Sequence, residues 1–315
     1  MTPEQFWQNF SLGQEQEIVC NFIYDALRNL HEMDTLSLET EVFPVLYNLS
    51  IGLERLLKIC VVLLEFDENT EINSFEESLI THNHIDLVNR IKNKAQLKLG
   101  SAHNDLLILL TKFYKTYRYG RFTLQSVRTI SDDKKSLHNY LNKHLGINID
   151  DDNNLFGLGN SNQIKKFIGK AVLKITSQLR QIILDMSRQK NIFTHEISRS
   201  DSKAGKILYS RESITFENEE IATVEALRFL IDNHESPRLD FLREINPLPL
   251  DPALIPEYLK VLVGKKPSSN SQLIDEVEAH YEDVDNIGER IEIINNFKDP
   301  QAYFEDVQGG GLEEN

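Results

Sequence analysis

The spacing of apolar and polar residues along the chain predicts a helical protein. Over 14–33, Val19, Phe22, Ile23, Ala26, Leu27 and Leu30 recur every three or four residues, which is one face of a helix. Residues 38–66 read as a second, longer helix. Its Val61, Val62, Leu63 and Leu64 are apolar nearly all round, so it is expected at the centre of the fold. Pro44 is expected near its start or at a kink. A polar, acidic loop over 67–82 follows. Two helices over 84–97 and 102–119 are joined at Gly100 and Ser101, and a shorter one covers 134–145. Residues 146–162, rich in Gly, Asn and Asp, predict a loop.

The most strongly periodic stretch is 168–196. Ile168, Val172, Ile175, Leu179, Ile182, Met186 and Phe193 alternate spacings of four and three, which is a core-facing stripe. At about 100° per residue, Arg188 and His195 lie about 160–180° from that stripe, and Ser177, Gln181 and Asn191 share their side. Read as one helix, the stretch buries a stripe and carries a polar, ionisable pair on its far side. That side is either solvated surface or a site completed by another surface. Beyond it, residues 206–217 alternate enough to predict one short β-hairpin. A helix over 221–233, a proline-rich irregular segment over 235–256, a short helix from Pro256 to 263 and one amphipathic helix over 272–296 complete the chain. The expected organisation is a helical domain over 1–197, a mixed extension over 198–270 packed on it, and an acidic tail over 271–315.

Charge changes this picture. The net charge is −15, but 1–80 holds 15 acidic and 3 basic residues and 271–315 holds 13 acidic and 2 basic. In between, 86–128 holds 9 basic and 2 acidic residues, and 164–211 holds 11 basic and 3 acidic. The overall acidity argues against indiscriminate nucleic-acid binding. The two basic segments permit a local phosphate-binding face, or simply solvate helix faces. Over 112–122, Lys112, Lys115, Arg118 and Arg121 interleave with aromatic residues. That pattern suits backbone phosphates and stacked bases, or an amphipathic helix end with the tyrosines packed. Cys20 and Cys60 sit in apolar helical patterns and are expected as buried thiols, consistent with a reducing cytoplasm. No apolar run is long enough to span a membrane, and MTPEQFWQNF lacks the pattern of a signal peptide.

The Arg–His spacing decides nothing by itself, because it occurs at Arg188–His195 and again at Arg228–His234. Context separates the two. Phe229, Leu230 and Ile231, between the second pair, read as core, whereas Gln189, Lys190, Asn191 and Thr194 keep the first pair on a polar face. Arg188, a polar residue and His195 six positions further on resemble the motif of the HEPN (higher eukaryotes and prokaryotes nucleotide-binding) superfamily. Gln189 stands where that motif more often has Asn, Asp or His. YNLSIGLERLLKI at 47–59 resembles the second helix of such proteins, and THNHIDLVNRI at 81–91 the start of their third. The resemblance covers about residues 14–197.

It implies a mainly α-helical, antiparallel HEPN-like bundle. It further implies a homodimeric, metal-independent endoribonuclease without a cofactor, of the kind that serves as a toxin or antiviral effector under a regulatory protein partner. His195 would take a proton from a ribose 2′-OH or give one to the leaving 5′-oxygen, and Arg188 would stabilise the phosphate. Asn191 would orient phosphate or base. Lys190, Lys112, Lys115, Arg118 and Arg121 would bind RNA. The competing readings are a non-catalytic helical module that binds a nucleotide or a protein, and a structural subunit of a defence complex. Glu54 and Arg55, on an otherwise apolar helix, are expected either paired within the core or facing a cleft. His82 and His84, flanking Asn83, are expected in a solvated loop. The sequence offers no convincing zinc, calcium or phosphate-loop pattern.

Overall fold

The computed structural model describes residues 2–67, 69–117, 132–147, 159–192, 203–236, 239–262, 272–282 and 287–296. Among these residues every regular element is helical, and the only β contact is an isolated bridge between Thr35 and Gly159. The chain divides into two compact units, Met1–Phe216 and Glu217–Asn315.

In the first unit, α1 (Leu12–Glu32) packs along α2 (Glu39–Glu65). Leu53, Leu56, Leu57, Cys60, Val61 and Leu63 of α2 are all buried, so this helix is central, as its all-round apolarity predicts. Pro44 lies inside α2, where it removes one backbone donor near the start. The predicted acidic loop holds a short helix, α3 (Ile72–Ser78), capped by Glu71, whose carboxylate accepts from Asn73 and Ser74 backbone N–H. The helices α4 (His84–Lys94), α5 (Ser101–Lys112) and α6 (Asp132–Leu145) pack around α2 and each other. After α5 the backbone widens into a π-helical turn, Phe113–Tyr117.

The long helix α7 runs from Asn162 to Gln189. Ile168, Val172, Ile175, Leu179 and Ile182 are buried as the stripe predicts. Its end corrects the expected helix over 168–196. Asn191 adopts the left-handed conformation (φ 53°), and the Ile192 N–H donates to the Ser187 carbonyl at 2.8 Å. This is a Schellman cap, with Ile192 buried beneath it. Asn tolerates positive φ better than most residues, which accounts for its presence there.

The expected hairpin over 206–217 is also corrected. Residues Lys203–Tyr209 form a helix, α8, docked on α1 and α7. Ala204, Ile207 and Leu208 face the core, a helical spacing that the apparent alternation concealed. The following segment buries Ile214 and Phe216. Phe216 meets the Tyr24 ring at 5.2 Å, with the Lys206 ammonium 4.3 Å from its centroid. The first unit therefore extends to Phe216 rather than stopping at 197.

Both cysteines are free and buried. Burial pushes the Cys20 thiol up to about 12 and raises that of Cys60 as well. Thiol reagents should therefore leave both unmodified in the native protein and label both in urea; rapid labelling without denaturant would contradict this packing.

In the second unit, α9 (Glu217–Asp232) has no buried residue. Phe229, Leu230 and Ile231, read from sequence as core, are exposed there. The single helix expected over 272–296 is instead two, α11 (Gln272–Tyr281) and α12 (Ile287–Asn296), preceded by α10 (Ile255–Leu262).

Candidate functional site

The last turns of α7 carry the residues that the sequence singles out. Arg188 is exposed, with 70% of its side chain accessible, and its guanidinium lies 3.6 Å from the Asp185 carboxylate. Asp185 lines a groove of about 510 Å³. One wall is the polar side of α7, with Gln178, Gln181, Asp185 and Gln189. The other is the α4–α5 connection, with Lys94, Gln96 and Lys98. Gln178 fixes the second wall to the first by accepting from the Lys98 backbone N–H at 3.3 Å. The floor is apolar, from Leu64, Ile182 and Met186. Amide groups, two ammonium groups and a neighbouring guanidinium suit an anionic, hydrogen-bonding ligand.

The other predicted residues fare differently. Lys190 donates its ammonium to the Phe66 carbonyl at 2.6 Å and so closes the C-terminal end of α2, and burial lowers its pKa. Its amine is used by the fold, contrary to the expected contact with RNA. Asn191 is exposed and terminates the helix. Lys112 and Lys115 are exposed, but they lie at the far end of α5 from the groove. His195, Arg118 and Arg121 lie outside the described residues. Because α7 ends at Gln189, helical phase no longer assigns His195 to the face of Arg188. Of the second pair, Arg228 bonds to Asp232 at 2.9 Å, and His234 is exposed.

Sequence reasoning missed one cluster altogether. Glu54 is buried on α2 and is shared between Lys58, at 2.6 Å, and His82 Nδ1, at 3.1 Å. Arg55 pairs instead with Glu15 at 2.9 Å. His84 is fully buried, not solvated: its Nε2 donates to the Ser50 carbonyl at 2.9 Å, and its Nδ1 lies 3.1 Å from the Thr111 hydroxyl. Burial lowers its pKa to about 4, so the ring is neutral. The legible signal was Glu54 itself, a lone carboxylate on an apolar helix that must find partners.

Among the described residues, no three His, Cys, Asp or Glu side chains cluster as metal ligands would, and no helix is long and apolar enough to cross a membrane. Compared with known proteins, the chain matches no family model, no curated protein and no solved structure.

Proposed function

We propose that the protein is a metal-independent endoribonuclease of HEPN type, acting on RNA as a homodimeric toxin or antiviral effector under control of a protein partner. The observation that carries this reading is the groove beside Arg188. A permanent cation stands next to a channel lined by amides and lysines, at the end of a long helix whose other side is core. An RNA strand in the groove would place a phosphate against Arg188, which stabilises charge growing on the non-bridging oxygens. His195, close by in sequence, is the proton carrier. It accepts the 2′-OH proton as the 2′-oxygen bonds to phosphorus, and a second copy returns a proton to the departing 5′-oxygen.

The test is cleavage of total RNA in EDTA. The native protein should produce 2′,3′-cyclic phosphate ends. Arg188→Ala and His195→Ala should each lower the rate about 100-fold or more, the scale of losing one charge stabiliser or one acid–base group. Cleavage that survives both substitutions, or no cleavage by the native protein, overturns the reading in favour of a binding module.

A further inference from the structure

The segment before α4 brings an imidazole, a buried carboxylate and a series of aromatic rings together, away from the α7 groove. The Glu54 side chain is 7% exposed, whereas that of His82 is 48% exposed. A carboxylate only accepts, so His82 Nδ1 carries the hydrogen and donates it to Glu54. In the neutral ring this leaves the Nε2 lone pair pointing away from Glu54. Nε2 makes no hydrogen bond among the described residues. The residues after His82 hold it in place. Asn83 caps α4 by accepting from the Ile85 N–H at 3.2 Å, and His84 is fastened to Ser50 and Thr111.

The His82 ring lies 4.5 Å from that of Tyr114. Tyr114 stacks on Tyr47 at 6.2 Å, and Tyr47 on Phe43 at 5.9 Å. Phe43 in turn meets buried Phe113 at 5.2 Å. The rings thus form a ladder from the core to exposed His82. Tyr114 sits in the π-helical turn, flanked by exposed Lys112 and Lys115. π-helical turns are uncommon and occur often at functional sites.

We propose that His82, Tyr114, Lys112 and Lys115 form a subsite for one unpaired nucleotide. Its base stacks at the open end of the ring ladder, an exocyclic amine donates to His82 Nε2, and its phosphate meets the lysines. Stacking tolerates any base; an outward-facing acceptor favours bases with an amine, such as adenine. The subsite is separate from Arg188. Glu54 precedes Phe66 by roughly 18 Å along α2, and Phe66 is the residue that Lys190 caps. That the nucleotide belongs to an RNA strand rests on the ribonuclease reading; the stacking geometry does not.

The experiment titrates the full chain with a short oligodeoxyadenylate, which has no 2′-OH to cleave, and with AMP, UMP and inorganic phosphate, followed by calorimetry. The oligonucleotide should bind saturably. Tyr114→Leu should weaken it about tenfold or more and His82→Gln about tenfold, while Arg188→Ala leaves the stacking contribution intact. AMP binding as tight as the oligonucleotide's identifies a free nucleotide as the ligand; tighter oligonucleotide binding identifies a strand. AMP should exceed UMP. If Tyr114→Leu loses helical circular dichroism, the exposed His82→Gln decides alone. No saturable binding, phosphate binding as tight as AMP, or oligonucleotide affinity unchanged in both variants overturns the subsite. Binding without RNA cleavage by the native protein would retain the subsite and reject the ribonuclease.

Discussion

Gly169→Ala should destabilise the first unit by about 2 kcal/mol or more, although alanine is ordinarily the better helix former by about 1 kcal/mol. A Cβ at this position in α7 would stand 2.3 Å from the Ile214 carbonyl oxygen and 3.1 Å from its carbon. Both are backbone atoms, so no rotamer change relieves the clash. The segment must move, and it is anchored by buried Ile214 and by Phe216 within its cage of Tyr24, Arg28 and Lys206. Releasing it would expose both apolar side chains, each worth roughly 1.5–3 kcal/mol. Gly288→Ala is the control, because nothing lies within 4 Å of a Cβ there. That substitution should be neutral or mildly stabilising. Urea unfolding measures both, and proteolysis should cut 203–216 of Gly169→Ala faster. A Gly169→Ala protein as stable as the native one would show that α8 and its following segment do not pack on α7 this closely.

The same contact shows where sequence reading stops. Periodicity located α1, α2 and the buried stripe of α7 because those helices bury many residues in one phase, and no local signal competes. It missed the end of α7. Phe193 continues the apolar spacing, and the terminating residue is Asn191, not the glycine that usually marks such a cap. It misread 206–217 because Ile207 and Tyr209 alternate in the letters, while Ile207 and Leu208 are both buried in a helix. The site divides the same way. Arg188 was legible as an exposed cation on a polar helix face. The groove beside it was not, since its second wall, Lys94 to Lys98, is far away in sequence. The Glu54–His82 bond likewise joins residues that only the packing of α4 on α2 brings together.

Acidification should weaken the native protein by roughly 3 kcal/mol between about pH 6.5 and pH 4 through His84 alone. Burial is the first cause of its low pKa, about 4. Nearby Lys58 and His82 lower it further, and Glu54 and the Ser50 carbonyl oppose the shift. Unfolded, the ring takes up a proton near pH 6.5. Because the folded pKa is depressed, the unfolded state binds the proton first. Stability is therefore complete above about pH 6.5, falls with pH, and levels off below about 4. The gap at about 1.36 kcal/mol per pH unit gives the figure above. His103 and His138, also lowered chiefly by burial, add to the same trend. His84→Gln separates the contributions. It should cost about 1–3 kcal/mol at neutral pH by disturbing the bonds to Ser50 and Thr111, and it should remove most of the acid-dependent loss. Urea midpoints at about pH 7.5 and pH 4.5, measured for both proteins, decide the matter. An equal acid loss in the two would mean that His84 is not the buried neutral ring described here. Because His84 fastens the start of α4 to α2, its protonation would also free His82 from Glu54, so ligand binding at the aromatic ladder should fail at a higher pH than global unfolding.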